Sequence, residues 1–237
     1  MSVTVNSMLS KIASAFSLET LDNQTKPTQT EALLYMNLAI LDLVNCLQPR
    51  RLQNNVWTPG RIDKLIDLLE EEVVSDTGTP PDNIVGGPTE CPLPGINGEA
   101  VCYYSSIEVR VDITPYYPAT ETSVSNMMSR LSGSPYAVDY TRPLYAWEDG
   151  KIYVLPSGYN STYVRYNYIK KPESLDTGQT FPLPDDLSVN VIDLTLALLW
   201  GSFDDEASMA LSQHYYKRYL KGVYDLLGES MSIVDRV

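Results

Sequence analysis

The stretch that most constrains the fold is Phe181 to Gly228, where two helical patterns follow each other with little between them. Pro184, Asp185 and Asp186 form a start signal: proline's fixed φ suits a first turn, and carboxylates accept from the orphan N–H groups there. From Val189 onward, Ile192, Leu196 and Leu199 recur at helical spacing, and Leu194, Ala197, Leu198 and Trp200 widen the stripe over most of the circumference. Such a helix needs partners on all sides. Gly201 and Ser202 interrupt it, and Asp204, Asp205 and Glu206 put negative charge on the next N-terminus. Ala207, Leu211, Tyr215, Tyr219, Val223 and Leu226 then give a second stripe, closed by Gly228.

The partners come from the start of the chain. Val5, Met8, Leu9, Ile12, Ala13 and Phe16 keep helical spacing, with Asn6 or Ser7 as cap. Their polar side is Ser and Asn rather than Lys and Arg, the pattern of a core-packing helix and not of a membrane anchor. Thr28 and Glu31 stand in capping-box register before a helix carrying Leu33, Leu34, Leu38, Leu41 and Val44, which Pro49 stops. Arg50 and Arg51 read as a solvated turn or salt-bridge partners. A third helix is expected from Thr58 and Pro59 through Ile62, Leu65, Ile66 and Leu69. Glu70, Glu71 and Glu72 would close it as a solvated carboxylate run open to a basic partner. No apolar run reaches the ~20 residues of a bilayer span, and the N-terminus lacks a signal peptide's positive cluster.

The middle of the chain alternates. Residues 76–100 are a Pro/Gly-rich extended loop. Ile107, Val109, Val111 and Ile113 alternate with charged residues as a half-buried strand does, and a short helix is expected between Thr122 and Leu131. Asp149-Gly150 between two aromatic and aliphatic runs marks a hairpin, because both residues tolerate the positive φ of tight turns. Thr162 to Lys170 forms a further strand with Val164, Tyr166 and Tyr168 on one face. The expected fold is α+β, mainly an α-helical bundle formed by N- and C-terminal helices, with a small inserted antiparallel β domain. Its divisions are 1–75 (N-terminal helices), 76–100 (extended loop), 101–180 (inserted β-rich domain), 181–228 (C-terminal helices) and 229–237 (tail).

No group of residues announces a reaction, and the chain reads as a non-enzyme with no catalytic residues, cofactor or metal. The one histidine, His214, cannot build a multi-histidine metal site, and Asp205 and Asp225 lie more than two turns away along its helix. Gly86-Gly87 leads into Pro88, not into a phosphate-binding helix. Asp185/Asp186 and Asp204/Asp205 sit at helix starts, where capping accounts for them; an acid-dependent hydrolase built on such pairs is the residual reading. Cys46, Cys91 and Cys102 suit neither a disulfide scaffold nor a zinc site, although Cys91 and Cys102 could pair in an oxidising medium. A net charge of −13 argues against phosphate neutralisation on duplex DNA. The 17 Tyr beside 3 Phe favour surfaces with one apolar and one wet side, such as interfaces.

Three sequence features together resemble the head-to-tail connector, or tail adaptor, proteins of short-tailed bacteriophages. They are the Trp147-Glu-Asp-Gly-Lys-Ile-Tyr-Val154 hairpin with the Tyr163 to Lys171 strand, Phe181-Pro-Leu-Pro-Asp-Asp-Leu before an alanine- and leucine-rich helix, and the Phe203-Asp-Asp-Glu-Ala helix with Tyr215-Tyr-Lys-Arg-Tyr219. The resemblance is strongest from Asp139 to Gly228. It implies a helical bundle with a small inserted β domain, copies in a homo-oligomeric ring (commonly of twelve) beneath the portal protein, an extended DNA channel and a docking face for tail or nozzle proteins. DNA would pass without specific binding, and no membrane is involved. The implied location is the virion neck between capsid and tail, after synthesis in the host cytoplasm. Tyr215, Tyr216 and Tyr219 would supply subunit contacts, and the tail with Met231, Ile233, Val234 and Val237 would reach the portal. The loop at 76–100 departs from the compact members. The alternative from another class is a carbohydrate- or partner-binding module with Tyr145, Trp147 and Tyr153 as an exposed aromatic platform.

Overall fold

The computed structural model describes residues 2–48, 50–51, 57–58, 60–75, 88–91, 93, 101–130, 138–148, 151–156 and 162–228. In chain order its helices are α1 (Val5–Ala15), α2 (Gln29–Leu47), α3 (Val124–Met128), α4 (Ser188–Gly201) and α5 (Glu206–Leu227), with 3-10 turns at Ile62–Leu68 and Asp185–Leu187. The strands are β1 (Arg50–Arg51), β2 (Trp57–Thr58), β3 (Leu69–Ser75), β4 (Thr89–Cys91), β5 (Val101–Val111), β6 (Tyr117–Pro118), β7 (Thr120–Glu121), β8 (Leu144–Glu148), β9 (Lys151–Leu155) and β10 (Thr162–Lys170). The chain divides into two units: Met1–Leu68 with Pro172–Val237, and Leu69–Lys171.

The first unit is helical and built from both ends of the chain. Its helices start where side chains can accept backbone N–H groups. Thr4 and Thr28 each form a capping box, with Ser7 and Glu31 respectively, and Asp205 accepts from the N–H of Ser208. Gly228 ends α5 in the left-handed conformation, at φ 70°, which costs a residue without Cβ least. The sequence pointed to Asn6 or Ser7 as the first cap; Thr4 holds that place. As its composition requires, α4 is buried over most of its surface, including Val191, Ile192, Leu194, Leu196, Ala197 and Leu199. It packs against α1, α2 and α5. The segments before α1 and α4 are tied together: Thr4 bridges Thr180, and the N–H of Val3 donates to Asp185 Oδ1 at 2.8 Å. α2 is long and apolar enough, by length and composition, to cross a membrane, against the reading that no run is. Its Met36, Ala39, Ile40, Leu43, Val44 and Leu47 are buried in this unit.

The second unit overturns the expected fold class. It is not a small inserted antiparallel β domain on a helical bundle but a body of two four-stranded sheets, ordered β3-β10-β5-β6 and β4-β9-β8-β7, the latter with a parallel β7–β8 pair. Alternation places Val164, Tyr166 and Tyr168 of β10 and Ile107 and Val109 of β5 in one core with Ile152 and Val154 of β9 and Cys91 of β4. Met127 of α3 joins Leu144, Ala146 and Leu155 in a second cluster.

The difference begins where a third helix is expected. Ile62–Leu68 is a 3-10 turn, and Leu69–Ser75 is a strand paired antiparallel with β10. The carboxylate run that looked like a helix end meets bases across the strands: Glu70 Oε1 lies 2.7 Å from Lys170 Nζ, and Glu71 Oε1 lies 3.7 Å from Arg165 Nε. Cross-strand pairing has no signature in local periodicity. β8 and β9 pair as the hairpin pattern demands, while its Asp149-Gly150 turn lies outside the described residues. Most of 76–100 also lies outside them, but Thr89–Cys91 forms β4.

Candidate functional site

In the helical unit the functional candidates lie on α5, which is long for the little it buries. Only Ser208, Tyr219 and Val223 of its 22 residues are buried. Tyr219 fills the seam with α2, where its hydroxyl donates to Asp42 Oδ2 at 2.5 Å and lies 3.7 Å from Cys46 Sγ. Burial first, then the bond to Asp42, push its ionisation far above the ordinary tyrosine range. Tyr216 is 48% exposed, and Met209 and Leu211 are exposed with it. Leu211, expected within the buried stripe, therefore faces outward. On α2, Leu34 and Leu38 are exposed four residues apart, which places them on one side of the helix. Met231, Ile233, Val234 and Val237 lie outside the described residues.

Tyr215 borders an open groove of about 360 Å³ between α1, α4 and α5, floored by Val189, Ile192 and Leu196 and edged by Lys11. At its wall Arg218 Nη2 pairs with Asp193 Oδ1 at 3.2 Å. Asp193 is buried, and burial raises its pKa while Arg218 and His214 pull the other way. Sequence spacing along one helix left His214 without a nearby acid; the packing of α4 on α5 supplies one. The signal was present, since Asp193 is the one charged residue in the apolar run 187–200. Arg218 also stands 5.6 Å from the Tyr215 ring centroid, so the pair is held from both sides.

In the sheet unit, Trp147 is 37% exposed at the edge of an aromatic cluster. Its ring lies 5.0 Å from Tyr104, tilted by 43°, and 6.3 Å from Tyr145, edge-on. Tyr104 in turn reaches Tyr166 at 5.7 Å. Burial, helped by Glu121, pushes the Tyr145 hydroxyl up to about 12. Tyr145 and Trp147 thus come together, but as a tilted, interlocked group rather than a flat platform.

A second aromatic array occupies the other face of the β3-β10-β5-β6 sheet. The Arg110 guanidinium lies over Tyr163 at 4.2 Å and near Tyr116 at 5.1 Å, and Arg165 lies over the Tyr116 ring at 4.0 Å. Arg110 and Arg165 lie on the polar side of their strands, and Tyr116 stands in the connection between β5 and β6, so no local pattern in the sequence marks their meeting.

Among the described residues no group of three His, Cys, Asp or Glu is placed to hold a metal ion. Cys91 is buried in the sheet core, and the side chain of Cys102 lies outside the described residues, so their pairing does too. Compared with known proteins, the chain matches no family model and has no significant match among curated proteins.

Proposed function

We propose that the chain is a structural assembly protein, a subunit whose copies join into a ring, and that it serves as a head-to-tail connector beneath a portal. The observation that carries this reading is the surface of the helical unit: α5 buries three of its residues and leaves Met209, Leu211 and Tyr216 outside, and α2 leaves Leu34 and Leu38 outside. Apolar positions on two different helices of one body suit a head-to-tail interface, in which one patch of a subunit meets a different patch of the next and the rotation closes a ring. The connector role itself is supported by the sequence resemblance over Asp139 to Gly228, although the two-sheet body departs from the architecture that the resemblance implies. The net charge of −13 suits a conduit past which DNA slides, because no phosphate is held. The test is localisation: purified particles are imaged with an antibody against the chain. Label at the neck between capsid and tail is the expected result, and protein found free of the particles would remove the role.

A second reading is favoured by Trp147, whose partial exposure beside Tyr104 and Tyr145 leaves an indole that a sugar or a partner side chain could cover. Sugar-dependent quenching of the Trp147 fluorescence, lost in Trp147→Leu, would move this reading to first place.

A further inference from the structure

The outer face of the β10–β5 pair is complemented rung by rung until its last rung. Asn167 Nδ2 donates to Ser106 Oγ at 2.9 Å, and these residues are paired in register. One step along, Arg165 is opposite Glu108 and their side chains meet at 3.2 Å, with Glu71 of β3 on the other side. At the next step Arg110 is opposite Tyr163, and no acid stands there. Among the described residues Arg110 is the one half-buried cation with neither a carboxylate nor a hydrogen-bond partner; Arg61, Lys64, Arg165 and Lys170 each have an acid. Its Nε is shielded from water and unbonded. What holds it is stacking on Tyr163 and Tyr116. A guanidinium clamped by two rings, its side chain partly withdrawn from water, has already lost much of its rotamer freedom, which is the usual cost of making a bidentate pair.

We propose that Arg110, walled by Tyr116 and Tyr163, is an anion-accepting site that takes a single carboxylate from an acidic side chain of a second copy of this chain. It rests on the ring reading above. One guanidinium end matches one carboxylate in a two-pronged, charge-assisted pair. A multiply charged phosphate fits poorly, because Arg165 on the adjacent rung is already paired with Glu108 and leaves Arg110 as a single unmatched charge. A second copy can supply it: each carries 30 Asp and Glu against 17 Lys and Arg, so carboxylates without a basic partner are in excess.

The test is sedimentation velocity of the full chain over a range of concentrations, at about 0.05 M and about 0.5 M sodium chloride. Wild type is expected to associate and to do so less in high salt. Arg110→Gln should weaken the dissociation constant at least tenfold, and Arg110→Lys by less, since it keeps the charge without the planar stack. Lys171→Gln makes the same change in net charge at an exposed site and should stay within about twofold, as rim charges do. Near-ultraviolet circular dichroism of each variant checks that the tyrosine array is intact, and Arg110→Lys carries the test if Arg110→Gln is misfolded. A wild type that stays monomeric throughout, or Arg110 variants that associate like it, overturns the proposal. So does dissociation by sodium phosphate beyond that by chloride of equal ionic strength, which would make the site a phosphate site. Neck labelling of particles is independent of Arg110, so this inference can fail while the connector reading stands, and the reverse.

Discussion

The two units of the chain use opposite kinds of information. In the helical unit each element carries its own start and stop: Thr4, Thr28 and Asp205 accept the first N–H groups of α1, α2 and α5, and Gly228 ends the last. In the sheet unit the defining contacts join residues far apart in sequence, such as Glu70 with Lys170, Glu108 with Arg165 and Glu90 with Lys151. Helix caps can be read from four or five neighbouring letters, whereas a sheet is specified by which strand lies beside which. Units built on such different information should also respond differently when a buried residue of one is removed.

That separation sets the largest expected effect. Tyr166 is fully buried in the sheet core, and Ile40 is buried on α2. Tyr166→Ala should cost about 3–5 kcal/mol and Ile40→Ala about 2–5 kcal/mol, from lost burial and the cavity left behind. Hydrogen exchange should show Tyr166→Ala lowering protection in β5, β9 and β10 while α2 and α4 keep theirs, with the reverse for Ile40→Ala. Equal loss in both units for either variant would show one cooperative unit.

A smaller effect tests how closely the helical unit is packed. A Cβ on Gly222 of α5 would run into Asn190 Nδ2 on α4, and Asn190 is buried. Helix propensity alone predicts that Gly222→Ala gains about 1 kcal/mol. The close approach of α4 and α5 reverses the sign: a loss of about 1–3 kcal/mol is expected from overpacking. A gain in the thermal midpoint would mean that the Asn190 side chain turns aside at little cost.

Next comes the ion pair at the groove. Burial raises the pKa of Asp193 above its unfolded value, against the pull of Arg218. A raised carboxyl contributes most to stability below its unfolded pKa, and the contribution is lost as pH rises through the folded pKa. Arg218→Gln removes the compensating cation and should cost about 1–2 kcal/mol at pH 7, discounted because Arg218 is half exposed. Below about pH 4, where Asp193 is protonated, the difference between variant and wild type should shrink. A pH-independent difference in urea midpoints would assign the effect to lost packing of the arginine stem instead.

These effects follow the line between what could and could not be read from the letters. β10 from Thr162 to Lys170, the capping box at Thr28, the all-round apolar α4 and the Gly228 stop were legible because each is a local pattern. The fold class was not, for a physical reason that centres on residues 62–75. Ile62, Leu65, Ile66 and Leu69 satisfy helical spacing, yet Ile66 is exposed and Leu69 opens a strand. The β-branched pair Val73-Val74 and the cross-strand bases of β10 win over the local pattern. Once β3 is missed, the four-stranded sheet is missed, and the β part looks small. The same holds for the sites: Asp193 beside Arg218 and the open rung at Arg110 exist only after packing.

The smallest expected effect sharpens the contrast between local and cross-strand signals. Thr28→Ala removes the acceptor for the N–H of Glu31 and should cost about 1 kcal/mol, with little dependence on salt. Glu70→Gln removes the 2.7 Å pair with Lys170, whose side chains are 45% and 32% exposed to water respectively, so its cost should fall between 0 and about 1 kcal/mol. The hydrogen bond from Lys170 holds the Glu70 carboxyl below its usual range. A depressed carboxyl contributes stability that is present above its unfolded pKa and is lost as pH falls through the folded one. The Glu70→Gln difference should therefore vanish in about 1 M salt and at low pH, while the Thr28→Ala difference persists in that salt. If Glu70→Gln proves the costlier and salt-insensitive change, β3 is held to β10 by something stronger than exposed ion pairs, and the carboxylate run has a structural role beyond matching the bases opposite it.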